Sequence, residues 1–227
     1  MGRQSGIDRR EVLRSALALP LGLLASKVAA AAGCGLTPAQ TKGPFFPVVD
    51  QADKDIDLTR VTGHDTAARG EVLRVRGRLL DEQCRPIAGV LVDLWQADTF
   101  GRYRHPADPN PARPDPDFQG WGQAVTDADG RYSFRTIKPA AYPLAFLEDG
   151  RADRSTGYRT PHIHFRASRR GYADLATQMY FAGERLNESD LVLRRVAVAD
   201  RRKVVIEPDR DADGLPLFAF DMVLARA

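Results

Sequence analysis

Histidine is scarce in this chain, with four residues in 227, and methionine (three) and cysteine (two) are scarcer still. Two cysteines are too few for a disulfide scaffold, and without a Cys-x-x-Cys pair there is no sign of a structural zinc site. No internal repeat is present, and no low-complexity tract beyond the N-terminal leader. A long hydrophobic run is missing too: "SALALPLGLLAS" (15–26) falls short of the roughly 20 residues that a membrane span needs. Nor is there a large excess of charge. The formal net charge is +3, with 43% hydrophobic and 28% charged residues, a composition that reads as globular and soluble. Within the first 33 residues, Arg3, Arg9, Arg10, Arg14 and Lys27 outnumber Asp8 and Glu11 by the whole of that excess. The rest of the chain is balanced and gives no basis for a nucleic-acid partner.

The leader has a charged start, "DRREVLR" (8–14), an apolar middle, and small residues in "VAAAAG" (28–33). That order describes an export signal, and Arg9-Arg10 resembles the twin-arginine type, although Asp8 stands where Ser or Thr is usual. Two alternatives stay open. One is an N-terminal membrane anchor. The other is a lipoprotein cleavage box, "AAGC" (31–34), ending at Cys34. A lipidated Cys34 could not pair with Cys84. The expected organisation is an export signal over 1–33, an N-terminal arm over 34–69 and a β-sandwich domain over 70–227.

From residue 70 onward the apolar residues alternate instead of recurring with a period of 3.6. "EVLRVRGRLL" (71–80) puts Leu73, Val75 and Leu79 on one face and three arginines on the other. "AGVLVDLWQA" (88–97) repeats the pattern with Val90, Val92 and Leu94. "QAVTDADGRYSFRTI" (123–137) reads as a hairpin turning at Asp129-Gly130. "HIHFRA", "LATQMYF", "RKVVIE" and "PLFAFDMVLA" follow as short strands, and "ESDLVLRRV" (188–196) as a short helix. Many short strands separated by turns point to a mostly β fold, a sandwich of antiparallel strands. "RYRHPADPNPARPDPDFQGWG" (102–122) is a proline-rich loop, and loops of that length inside compact domains are usually functional.

Half of the histidines sit two positions apart, His162 and His164 in "YRTPHIHFRAS" (158–168). On a strand they project from one face, side by side, a start for a metal site. The bland alternative is a solvated strand face, and His-x-His alone does not decide. Further ligands would have to come from elsewhere: His64 and His105 lie in loops, and no carboxylate stands out by spacing. Tyr103 and Tyr142 do stand out, each where a strand gives way to a loop, although either would serve equally as a packed loop aromatic.

Taken together, "VDLWQADTFGRYRH", "TDADGRYSFRTIKPAAYP", "RTPHIHF" and "TQMYFAG" strongly resemble the intradiol ring-cleavage dioxygenases, the protocatechuate 3,4-dioxygenases above all. "TPAQTKGPFFP" (37–47) resembles the N-terminal segment of that family, so the likeness spans nearly all of the chain after the leader. The resemblance implies a non-haem Fe(III) held by Tyr103, Tyr142, His162 and His164, acting on a catechol and O2. It makes Tyr103 the tyrosine that stays bound and Tyr142 the one that leaves and takes a substrate proton. Arg159 matches the arginine that steadies negative charge on the substrate, and Gln178 an active-site glutamine behind it.

Phenolate oxygen is a hard anionic donor suited to Fe(III), which agrees with that set. A non-catalytic sandwich that binds an aromatic or carbohydrate ligand is the alternative. A missing ligand would signal it, and all four are present. Copper at the same strands is a further alternative, and the tyrosines speak against it. "PAAY" before Tyr142, the long stretch from there to His162, and Tyr158 where a tryptophan is common all depart from the family pattern. These departures bear on the ring substituent, which Arg151, Arg154 or Arg159 could meet if it were anionic. Oligomeric state is left open.

Overall fold

The computed structural model describes residues 1–2 and 34–227. The leader readings, Arg9-Arg10 included, fall on residues 3–33 and lie outside the described residues.

Two five-stranded sheets form the sandwich. The first is built on β1 (Val72–Asp81), which pairs along one edge with β4 (Arg131–Ile137). Its other edge is shared end to end by β11 (Pro216–Ala219) and β12 (Met222–Leu224), and β10 (Pro208–Arg210) lies outside β11. The second sheet runs β3-β2-β7-β8-β9: Trp121–Val125, Leu91–Trp95, His162–Ser168, Leu175–Phe181 and Val205–Ile206. A separate two-stranded ribbon joins β5 (Tyr142–Pro143) to β6 (Tyr158–Arg159). The expected sandwich is present, but β1 runs parallel to β11 and β12, and β8 parallel to β9.

Alternation builds the core. Leu73, Val75 and Leu79 of β1 meet Val92 and Leu94 of β2 and Ile163, Phe165 and Ala167 of β7 in one buried cluster. Gly77 shares the parity of those β1 residues and has no side chain, because the chain crosses there between β11 and β12. A Cβ on Gly77 would lie 1.9 Å from the Phe220 carbonyl oxygen. "PLFAFDMVLA" is therefore two strands, not one.

The expected hairpin at Asp129-Gly130 is a different object. β3 pairs with β2 and β4 with β1, so the turn carries the chain from one sheet to the other. Thr126, buried at the crossing, holds the bend: its hydroxyl donates to the Ile87 carbonyl (2.7 Å) and accepts from the Val90 N–H (2.9 Å). The expected helix over 188–196 is replaced by two 3-10 segments, Arg185–Glu188 and Leu193–Arg195, on either side of a fully buried Asp190.

Residues 34–69 lie against the sandwich. The arm bonds to β3 and β4 through the Lys54 and Ile56 carbonyls and the Leu58 N–H. Cys34 and Cys84 form a disulfide, which a lipidated Cys34 would preclude. No helix among the described residues is long and apolar enough to cross a membrane.

Candidate metal centre

Every second residue of β7 faces the core, which leaves His162 and His164 on the outer face of the second sheet. That face is not solvated: each histidine is 2% exposed. It is roofed by the loop after β2, by the β5–β6 ribbon and by the arm. Trp95, Tyr103, Phe45, Phe46, Trp121 and Tyr142 pack there as a second apolar cluster, apart from the main core.

Register sets the neighbours. His164 lies between Trp95 on β2 and Gln178 on β8, and His162 opposite Tyr180. The Trp95 ring stacks on His164 with centroids 4.8 Å apart and planes 12° from parallel. Tyr103 enters from the loop after β2. Its N–H donates to Asp108 (2.6 Å), and Phe45 covers its ring at 4.9 Å. Tyr142 enters on β5, paired across the ribbon with Arg159. Gly43, at φ +69°, brings the arm so close that a Cβ would sit 3.3 Å from His164 Cε1.

Four ring heteroatoms converge. Tyr103 Oη lies 3.4 Å from Tyr142 Oη and 3.2 Å from His162 Nε2; His162 Nε2 lies 3.4 Å from Tyr142 Oη and 3.2 Å from His164 Nε2. The protonation pattern makes this more than a hydrogen-bonded cluster. His162 Nδ1 faces the Thr160 carbonyl at 2.6 Å, so it carries the proton and leaves Nε2 as a lone pair. Burial first, then Arg159, pushes the His162 pKa well below the ordinary value. Burial, His162 and Arg159 do the same for His164. Burial drives the phenol of Tyr103 well above its ordinary value, and Tyr142 adds to this. Burial also raises Tyr142, with Arg159 opposing. Two neutral imidazoles and two phenols thus share one buried cluster.

A cation at the common point would satisfy the lone pairs and draw both phenols toward phenolate, inverting the local pKa logic. Among the described residues, no group of three His, Cys, Asp or Glu side chains gathers as a metal site. Two of the four converging atoms are phenolic oxygens, a donor type that fits a hard trivalent ion. His64 and His105 are not part of the cluster: His64 bonds to Asp117 (2.7 Å), and His105 Nδ1 accepts from the Ala107 N–H (3.1 Å).

Arg159 and Gln178, both expected at the site, touch each other. Arg159 Nη2 donates to Gln178 Oε1 at 2.6 Å. Arg159 Nε donates to Asp190 at 2.8 Å, a pair with side-chain exposures of 6% and 0%. Burial works against the Arg159 charge, and Tyr142 and Asp190 more than offset it. Breaking such a pair from one side costs about 3–5 kcal/mol. Arg151 and Arg154 are exposed on the 144–157 excursion, and Arg151 pairs with Asp149 at 2.7 Å.

Sequence reasoning missed Gln40, Tyr180 and Asp190. Gln40 Nε2 donates to Thr177 Oγ1 (3.1 Å) and the Gln178 carbonyl (3.0 Å), and Tyr180 donates to Gln40 Oε1 (2.7 Å). Gln178 Nε2 donates to the Thr41 carbonyl at 2.9 Å. Gln40 and Tyr180 sit inside motifs that mark the family likeness, but their contacts span well over a hundred residues.

The family model described as Dioxygenase matches residues 41–226. The protocatechuate 3,4-dioxygenase beta chain of Burkholderia cepacia is 37% identical over 185 residues, covering 80% of this chain and 76% of the relative. The 6-chlorohydroxyquinol 1,2-dioxygenase of Cupriavidus pinatubonensis is 34% identical over 170 residues, covering 71% of this chain but 57% of that longer protein. Among solved structures, the dioxygenase domain of a dioxygenase carbohydrate-binding protein fusion from Streptomyces sp. SirexAA-E aligns with a TM-score of 0.59 at 31% identity. It covers 85% of this chain and 100% of that domain. The chain belongs to the intradiol ring-cleavage dioxygenase family. That family is known for non-haem iron.

Proposed function

We propose that this chain is an Fe(III)-dependent intradiol dioxygenase that opens a protocatechuate-like catechol between its two hydroxylated carbons. The observation that carries the reading is the convergence of Tyr103, Tyr142, His162 and His164, with neighbouring heteroatoms 3.2–3.4 Å apart. These four side chains would hold the iron. Bound there, iron(III) supplies Lewis acidity that draws electron density from the catecholate and opens the ring carbons to O2.

The chain's own residues do the rest. With iron bound, the Tyr142 phenolate would take one catechol proton at Oη and so serve as base. Two features support giving that part to Tyr142. It is half-buried where Tyr103 is 2% exposed, and it sits on a two-residue strand where Tyr103 is anchored to Asp108. Arg159 presents a fixed positive charge beside Tyr142 and favours the negative charge that builds up on the substrate. Gln178 holds the guanidinium from the other side. Phe45, Phe46 and Trp95 exclude water. The bond between the two oxygenated carbons breaks, both atoms of O2 enter the product, and each carbon ends as a carboxylate of a cis,cis-muconate type diacid.

The signal-like leader further leads us to propose export by the twin-arginine route. The Cys34–Cys84 disulfide supports an oxidising destination.

Oxygen uptake by the iron-loaded protein, screened over catechol, protocatechuate and hydroxyquinol, tests the activity. One O2 consumed per ring and a diacid product are expected from at least one of them. No uptake with any of the three contradicts the reading.

A further inference from the structure

Asp190 has no exposed surface and makes two kinds of contact. Its Oδ1 accepts from the N–H groups of Val192 and Leu193, both at 2.9 Å, which caps the 3-10 turn that follows. This half is structural and purely local. Its Oδ2 reaches across to the passage from β6 to β7, accepting from Arg159 Nε (2.8 Å) and from the Thr160 N–H (3.0 Å). The turn needs nothing from this second half.

Both of the Oδ2 contacts lead into the site. Arg159 is clamped by Asp190 at Nε and by Gln178 at Nη2. Two of the three guanidinium nitrogens are thus fixed. The Thr160 backbone is used on both sides of its Cα. Its N–H is spent on Asp190, and its carbonyl accepts the Nδ1 proton of His162 at 2.6 Å. One carboxylate oxygen therefore fixes both the arginine and the N–H side of Thr160, the residue whose carbonyl, one peptide unit further on, sets the tautomer and ring plane of His162.

We propose that Asp190 is a positioning residue of this site, acting through Arg159 and, by way of the Thr160 backbone, through His162. The proposal rests on the dioxygenase reading above. A carboxamide at this position has one acceptor oxygen, so it can serve the turn or the clamp but not both. The loss should appear in the reacting state more than in substrate binding.

The test is a double-mutant cycle on iron-loaded protein, with rates divided by bound iron. Asp190→Asn is expected to lower kcat about 10–100-fold, with KM changed far less. In an Arg159→Gln background the same substitution is expected to cost clearly less, about threefold to tenfold, because only the route through Thr160 and His162 remains. A second readout needs no activity. In the iron-free protein the Arg159 Nε–H should exchange slowly with solvent by 15N NMR, and rapidly in Asp190→Asn. Asp190→Glu keeps the buried charge, moves it by one methylene, and is read by the same criteria if the asparagine variant does not fold. Wild-type kcat per iron in any folded Asp190 variant, equal losses in both backgrounds, or unchanged Nε–H exchange would overturn the proposal. An inactive but iron-loaded wild-type protein would instead sink the dioxygenase reading itself, and the positioning role with it.

Discussion

Tyr103 and Tyr142 bring the same chemical group to one point by different routes, and the routes set what each can do. Tyr103 is buried, tied by its backbone to Asp108 and covered by Phe45. Tyr142 stands on a two-residue strand at the base of an exposed excursion, opposite Arg159. Tyr142→Phe should keep its iron but take up catechol about 10²–10⁴-fold more slowly, the usual cost of losing a positioned base. Tyr103→Phe should lose iron affinity and most visible absorbance. Iron content and stopped-flow catechol binding check both, and equal iron loss from the two variants would contradict the division of roles. The histidine pair was legible because two residues apart on a strand means the same face. The tyrosines were singled out as candidate ligands only through the family likeness. Asp190 was not legible. In "ESDLVLRRV" it reads as the start of a helical turn, which its Oδ1 does cap, while its bond to Arg159 spans 31 positions with no local trace.

At the scale of elements, the turn after β1 shows a carboxylate organising a loop. Asp81 Oδ1 accepts from the N–H groups of Gln83 and Arg85, both at 3.0 Å, and Arg85 Nε donates to Oδ2 at 2.9 Å. This turn holds Cys84, at φ +62°, in place for its disulfide. The Arg85 guanidinium, with these backbone donors, holds the Asp81 carboxyl down at about 2. The folded value lies below the unfolded one, about 3.9. The contribution to stability is therefore complete above roughly pH 4 and lost as pH falls toward 2. Melting curves of wild type and Asp81→Asn should differ by a constant amount above pH 4 and converge near pH 2. A gap that persists undiminished at pH 2 would contradict this. Strand positions were readable because alternation is local, but strand partners were not. "QAVTDADGRYSFRTI" carries every mark of a hairpin, and only the Thr126 bonds, reaching back to Ile87 and Val90, show that it spans two sheets.

At the scale of the molecule, the second sheet is buried on its inner face and, at the end that carries His162 and His164, on its outer face as well. Its inner face completes the sandwich core, and its outer face, under the loops and the arm, carries the site. The disulfide ties the start of that arm to the turn after β1. If the leader works by the twin-arginine route, the protein crosses the membrane already folded and iron-loaded. Changing both Arg9 and Arg10 to lysine should then leave it in the cytoplasm, and undiminished export of that double variant would point to an ordinary signal. The central claim is that the four converging rings form an iron centre. It is tested most directly by elemental analysis of the purified protein together with its visible spectrum. The account predicts about one iron per chain and a coloured protein, because tyrosinate bound to iron(III) absorbs visible light. A colourless protein that holds zinc and stays colourless after iron loading would contradict it.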